Sequence, residues 1–356
     1  MRSTFTFVVG LILLASAVGA VEPANEADIP RTADGQPDFS GTYNVATLTP
    51  LERPEMLGDK RLLTPEEAAE SEAAEQDRIA ERAAQSESDR EAPPEGGDGS
   101  PGAAGNVGGY NYFWIDRGTD VFAIDGKFRT SIITDPPNGR RPEMSAAASE
   151  RAARRAALFP NNVGRAFWMK DDGPGPYDHM EQRPLAERCL LGFSSTGGPP
   201  MLPAGYNNLK TIVQTDDHVM ILVEMVHDAR IIRLNSQHPA PEVRRWMGDS
   251  IGWWEGDTLV VDTTNFNDSP ALVQASRDLH VVERFRRIEG GRIHYSFKVE
   301  DPTTWSVPWS GEYIWPAATE RLYEYACHEG NYALGNIMRG ARLLESEWDD
   351  TAGGRE

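Results

Sequence analysis

Trp246-Met247-Gly248-Asp249-Ser250-Ile251-Gly252-Trp253-Trp254-Glu255-Gly256-Asp257-Thr258-Leu259-Val260-Val261-Asp262-Thr263-Thr264-Asn265-Phe266 is the stretch that decides the fold class. It reads as two strands joined by a tight turn. Residues 251–255 are short and aromatic, and 258–264 are rich in the β-branched side chains that suit a pleated surface. Gly256-Asp257 supplies the two central turn residues. Gly in the first of them suits a type II′ turn, where the backbone needs φ > 0. With that loop, Trp254 stands opposite Leu259 and Trp253 opposite Val260, cross-strand pairs worth about 0.2–1 kcal/mol each.

Outward from this hairpin, strand patterns recur at 211–214, 218–227, 230–234, 280–287, 292–299, 310–314 and 323–327, several of them separated by Gly, Asp or Pro turns. Upstream, 39–45, 121–124 and 128–134 have the same character. The spacing predicts a mainly β protein, an antiparallel barrel or sandwich with a few helices. The Gly41-Thr42-Tyr43 entry into the first strand resembles the start of a lipocalin-like (calycin) barrel.

Two helical stretches interrupt the β pattern. Thr64-Pro65-Glu66-Glu67 is a capping box with Pro at the first helical position. The Ala- and Glu-rich run after it extends to about Asp89 with almost no apolar stripe, as in a solvated or partly disordered helix. Residues 91–109, with paired Pro and Gly, form a flexible linker. Together 55–109 is an acidic helical insert. Ser145 caps a second helix reaching about Leu158, with Arg151, Arg154 and Arg155 on an exposed face. A short helix over 184–191 carries Cys189.

The first twenty residues read as a signal peptide: Arg2, an apolar run over 7–14, and Val18-Gly19-Ala20 as the cleavage site. The run is too short to cross a bilayer, which takes about 20 apolar residues. Cleavage after Ala20 and residence in the periplasm or outside the cell are expected. The division that follows is a signal peptide at 1–20, an arm at 21–38, one β domain over 39–345 carrying the insert, and a tail at 346–356. A net charge of -20 argues against nucleic acid and against anionic membrane surfaces as partners. Two cysteines in an oxidising compartment predict a Cys189–Cys327 disulfide.

Four segments carry more charge than a structural strand needs. In Glu224-Met225-Val226-His227-Asp228-Ala229-Arg230, period two puts Glu224, Asp228 and Arg230 on one face and His227 on the other, toward a core or cavity. In 280–284, His280 and Arg284 share a face. Asp262, on the β-branched strand of the hairpin, is either an edge charge or a cavity carboxylate whose burial would make it a general acid or base. In 323–332, His328 and Glu329 stand where a strand ends in a Gly-Asn turn, the place of a barrel mouth.

Gly248-Asp249-Ser250-Ile251-Gly252 matches Gly-x-Ser-x-Gly, but a nucleophile elbow needs a helix after the serine and here a Trp-rich strand follows. His328-Glu329 begins like a zinc helix, yet position 332 is Tyr. A metal site would have to gather the distant His227, His280 and His328, and neither metal nor cofactor is expected. Nine tryptophans either fill a barrel or line a pocket for an aromatic or terpenoid ligand.

Asp135-Pro136-Pro137-Asn138-Gly139-Arg140, Glu187-Arg188-Cys189, Tyr206-Asn207-Asn208, the 224–230 segment, Trp254-Glu255-Gly256-Asp257-Thr258-Leu259-Val260-Val261 and Cys327-His328-Glu329-Gly330-Asn331-Tyr332 together resemble a broad group of uncharacterised exported bacterial proteins. The resemblance covers most of the chain after Tyr110 and implies no particular activity. From the residues themselves, the expected function is a metal-independent acid–base lyase or isomerase acting on a hydrophobic, aromatic or terpenoid small molecule. His227 and His328 would be the acid/base pair, Glu224, Asp228 and Glu329 their orienters, Tyr325 a proton donor, Arg230 a carboxylate or phenolate clamp, and Asp262 a further acid or base. Trp253, Trp254, Tyr206, Asn207 and His280 would bind substrate. A lipocalin-like carrier without turnover and a structural envelope protein are the alternatives.

Overall fold

The computed structural model describes residues 29–83, 115–159, 164–170, 173–192 and 195–348. The expected signal peptide at 1–20, the expected linker at 91–109 and Trp114 lie outside the described residues. In chain order the elements are β1 (Gly41–Asn44), β2 (Leu62–Leu63), α1 (Pro65–Ala83), β3 (Ala123–Ile124), β4 (Lys127–Arg129), β5 (Ile133–Asp135), α2 (Ala146–Ala157), β6 (Leu209–Gln214), β7 (His218–Val223), β8 (Ala229–Leu234), β9 (Asp249–Glu255), β10 (Thr258–Thr264), β11 (His280–Arg287), β12 (Ile293–Glu300), β13 (Trp309–Trp315) and α3 (Ala333–Ser346).

Ten strands form one sheet in the order β1-β6-β7-β8-β9-β10-β11-β12-β13-β5, and β2-β4-β3 form a small second one. The mainly β expectation holds. The β9–β10 hairpin has the register that its turn dictates, with Leu259 opposite Trp254 and Val260 opposite Trp253. Gly256 has φ +59° while Asp257 stays at negative φ, as a type II′ turn requires. The sheet is antiparallel except at β8–β9, which run parallel. Parallel neighbours need a crossover of a dozen or so residues, and residues 235–248 supply it. Past β13 the chain runs on beside β1: Asn44 N donates to Pro316 O at 3.1 Å and Ala318 N to Thr42 O at 2.8 Å.

One face of the ten strands is the core. Alternate residues turn toward it, among them Tyr43, Ile221, Ile232, Val261, Val281, Phe285, Tyr295, Trp309, Tyr313 and Trp315, all nearly inaccessible. Tyr295 sits among rings, 4.8 Å from Trp315, 5.0 Å from Phe285 and 5.5 Å from Tyr313. Such pairs add about 0.5–1.5 kcal/mol each beyond area burial. One polar cluster lies on the same inner face. Arg230 Nη1 donates to Glu283 Oε1 at 2.9 Å, Nη2 bonds the second oxygen of Glu283 and Thr263 Oγ1, and Nε donates to Ser250 Oγ at 3.0 Å. Tyr295 OH donates to Glu283 at 2.7 Å and accepts from Met201 N at 2.9 Å, tying the 195–205 loop to the sheet.

The helices behave as their caps dictate. Glu67 N donates to Thr64 Oγ1 and Thr64 N to Glu67 Oε2, closing the predicted capping box of α1. This helix is anchored as well as solvated, since Val121 N donates to Glu72 Oε1 and Ala68 is buried. Ser145 Oγ accepts from Ala148 N and caps α2.

Several expectations are corrected. The 218–227 strand stops at Val223 and the chain reverses over 224–228, so 224–230 is a corner followed by the start of β8. Residues 323–327 are irregular and residues 184–191 form turns without a helix. The 128–134 strand is split between β4 and β5. The helix α3 was not foreseen; it packs Ala341 on Ala166 and Trp168, and Trp168 Nε1 donates to Glu345 Oε1 at 2.8 Å.

Candidate functional site on the outer face of the sheet

Strand parity distributes the polar side chains. Glu283 points into the core, so His280, three residues earlier on β11, points outward. On β10, Val261 and Thr263 point inward and Asp262 outward. On β9, Ser250 points inward and Asp249 outward. The register sets Asp262 opposite Val282 and Ile251, and His280 opposite Glu300. Asp249, Asp262, His280 and Glu300 therefore occupy one outer face. The crossover brings His238 onto the same face.

These five form a line. His238 Nδ1 lies 2.9 Å from Asp249 Oδ2, and His238 Nε2 lies 2.8 Å from Asp262 Oδ1. His280 Nε2 lies 2.7 Å from Asp262 Oδ2, and His280 Nδ1 is 3.4 Å from Glu300 Oε2. Asp249, buried to 1% exposure, is also held by Arg233 at 2.6 Å and Arg245 at 3.2 Å. Burial alone would raise the Asp262 carboxyl. The hydrogen bonds and charges of His280 and His238 outweigh it and hold the group below its usual range. The hydrogen bond to Asp262 raises His280 against burial, and Glu300 adds to the effect.

The two imidazoles differ in use. His238 is half-buried with a carboxylate on each nitrogen, so both contacts are hydrogen bonds only when both nitrogens carry protons. It is a clamp. His280 is more open, and its Nδ1 contact with half-exposed Glu300 is long. When Nε2–H is directed at Asp262, the Nδ1 lone pair can take a proton. In the imidazolium form, Nδ1–H can give one.

Beside this line runs a groove of about 380 Å³, floored by Thr134, Val282, Ser296 and Ser310 and rimmed by Arg284, Lys298 and Glu312. Val282 and Lys298 are cross-strand partners, and His280 and Glu300 are the next outward pair along the same ladder. The histidine thus stands at one end of the groove. Lys298 lies 2.5 Å from Glu300 and Arg284 2.8 Å from Glu255, ion pairs exposed enough to exchange for a ligand carboxylate.

The structure joins Asp262 and His280 and disperses the other sequence candidates. His227 is exposed, with Nδ1 3.0 Å from Tyr325 O, so it does not point into the core as expected. His328 and Glu329 are exposed on the irregular segment after Cys327, which is bonded to Cys189. Arg230 is in the core, and the carboxylate expected on its fork is Glu283 of the same chain. Glu224 Oε2 accepts from Leu209 N at 3.2 Å. Asp228 is half-buried and accepts from Gly192 N at 3.3 Å, with burial pushing it up to about 6. Trp253 lies outward with Nε1 on Glu255, and Trp254 lies inward, stacked 5.8 Å from Phe39. Tyr206 and Asn207 lead into β6, Asn207 at φ +52°. Ser250 is a strand residue buried under Arg230, in keeping with the absence of an elbow.

Sequence reasoning missed His238, Asp249 and Glu300. Glu300 was missed by one residue, because pairing 280–287 with 292–299 end to end sets Val299 opposite His280, whereas the observed register sets Glu300 there. His238 was out of reach, since it sits in a Pro-flanked crossover without periodicity. Among the described residues, no group of three or more His, Cys, Asp or Glu is placed to hold a metal ion, and the line explains why: each member touches its neighbours and none converge. No helix of the described residues is long and apolar enough to cross a membrane. No protein-family model matches the chain, and no curated protein matches it.

Proposed function

We propose that the protein is an exported acid–base enzyme, a lyase or isomerase, that acts on a small hydrophobic carboxylic acid of aromatic or terpenoid type on the outer face of its sheet. The observation that carries this reading is the His280–Asp262 dyad, 2.7 Å apart, opening at one end of a groove with two cationic rims. His280 is the general acid and base, Asp262 fixes its tautomer, His238 and Asp249 hold Asp262, and Lys298 and Arg284 take the substrate carboxylate. Proton transfer by a positioned histidine contributes about 10²–10⁴-fold. His280 takes the place first given to His227 and His328.

The Cys189–Cys327 bridge supports residence in an oxidising compartment. The run of hydrogen bonds from 316–318 to β1 supports a closed, lipocalin-like barrel, whose packed interior leaves the outer face for chemistry. Membership of the exported bacterial group that the motifs resemble belongs to the same reading. The test is incubation of the purified protein with a library of aromatic and terpenoid acids, read by mass spectrometry, for wild type and for His280→Gln and Asp262→Asn. Turnover that falls at least a hundredfold in His280→Gln supports the proposal. Turnover that survives both substitutions removes it, and saturable binding without any product points to a carrier.

A further inference from the structure

The helix α2 and the 265–279 connection between β10 and β11 stand on either side of a pocket of about 590 Å³, a size usual for small-molecule sites. On the α2 side, Ala148, Ala152 and Ala156 recur one turn apart, and Arg151, Arg155 and Phe159 form the neighbouring row. The facing wall is Pro270, Ala271 and the exposed Val273. Both walls are tied to one turn at 301–304. Ser145 N, at the start of α2, donates to Thr304 O at 2.9 Å, and Arg151 Nη2 donates to Thr304 Oγ1 at 3.2 Å. From the other side, Ser276 N donates to Asp301 Oδ2 at 2.6 Å. The pocket is therefore preformed, and a ligand entering it has little protein to order. Its charge runs against that of the chain, which is -20 overall. Two arginines line it against one acid, Asp268, and Asp268 lies 2.8 Å from Arg277. Arg151 has a neutral partner in Thr304, Glu150 lies 3.8 Å from Arg154, and Arg155 has no ion pair among the described residues.

We infer that this pocket binds a small amphipathic carboxylate of the medium-chain fatty-acid type, with its head on Arg151 and Arg155 and its aliphatic body between the alanines of α2 and the 270–273 wall. Guanidinium groups suit a carboxylate because their planar fork matches its two oxygens. The walls offer mainly methyl and methylene groups. The one ring, Phe159, already carries Arg183 at 4.9 Å over one face, so an aliphatic body has more surface to cover here than a stacked aromatic one has. No bond is made or broken in this site. It shares no residue with the groove beside His280 and stands independently of the lyase or isomerase reading.

The experiment is calorimetric titration of the full chain with octanoate, and with 1-octanol as the uncharged comparison. Saturable binding of one octanoate per chain is expected, with octanol at least tenfold weaker. Arg151→Gln with Arg155→Gln should weaken octanoate at least tenfold and leave octanol unchanged. Ala152→Phe, which fills the gap, should abolish both. Each variant is checked for folding by circular dichroism, and because both arginines are exposed, their substitution carries the test even where Ala152→Phe does not fold. Absence of saturable octanoate binding overturns the inference, as does equal affinity for octanol or unchanged affinity in the folded arginine variant. Lys298→Gln and His280→Gln should bind octanoate as the wild type does, whether or not acid turnover on the outer face is found. Loss of binding in Lys298→Gln would put the ligand in the outer-face groove and overturn the assignment to this pocket.

Discussion

Replacing Arg230 with Met should be among the most damaging single changes in the core. Arg230 is 2% exposed and Glu283 is inaccessible. The substitution takes both guanidinium contacts from Glu283 and leaves its carboxylate with Tyr295 OH alone. Ser250 and Thr263 lose their guanidinium bonds as well, although they keep their mutual contact of 2.9 Å. Breaking a buried pair by removing one partner costs about 3–5 kcal/mol, most of it the stranded charge. Removing both charges is different in kind. Arg230→Met with Glu283→Leu leaves no ion to solvate, and such exchanges are often neutral or better. Tyr295 OH then loses its acceptor while Met201 N keeps its bond to that hydroxyl, a loss of about 1–3 kcal/mol. The double variant should therefore be more stable than Arg230→Met by about 1–3 kcal/mol. The assay is urea unfolding followed by tryptophan fluorescence, for which Trp309 and Trp315 lie in the same core. A loss below about 1 kcal/mol in Arg230→Met, or a double variant less stable than the single one, would refute the reasoning.

Other consequences are open to simpler measurements. His280 is raised above its ordinary 6.5, so its contribution is complete below that value and fades as pH rises through the folded value. Asp262 is held below 3.8, so its contribution is complete above that value and fades as pH falls through the folded one. The gap in urea midpoint between wild type and His280→Gln should thus be widest near pH 5 and narrower at pH 9, and an equal gap at both would contradict the dyad. Cys327→Ser opens a crosslink between residues 138 apart. It should cost up to about 5 kcal/mol, seen as a lower Tm that reductant does not lower further. Gly256→Ala meets no atom within 4 Å, so its cost should be the left-handed backbone alone, about 1–2 kcal/mol in thermal unfolding, and a neutral result would argue against the type II′ turn.

How far the fold could be read from sequence depended on whether strands stayed regular. The hairpin around Gly256 was legible to the residue pair because a two-residue turn admits one register. His280 and Arg284 were placed on one face correctly, being four apart on an unbroken strand. Period two could not place Glu224 and Asp228 relative to Arg230, because parity does not carry across the corner. Val226 at φ +60° and His227 at φ +48° reverse the chain there, and nothing in a Met-Val-His tripeptide announces a left-handed β-branched residue. The helix α3 was missed because Gly335 and Gly340 blur its pattern. Asp262 and His280 were each singled out, but on separate grounds. Their meeting depended on the β10–β11 register, which the irregular 265–279 connection hides.

The parallel step between β8 and β9 is what makes the outer-face line possible. Asp249 and Asp262 point outward from adjacent strands, offset by two residues in register. On a bare sheet they would be like charges within reach of one another, and the repulsion would raise one of them. A tight hairpin into β9 would leave them so, having no residue to spare for the outer face. The longer crossover carries His238 across that face and sets one nitrogen on each carboxylate. Asp262 is then held low and kept ionised, and its second oxygen is free to fix the tautomer of His280. The topology that departs from a simple antiparallel meander is thus the one that converts two unfavourable carboxylates into an anchored acid–base pair.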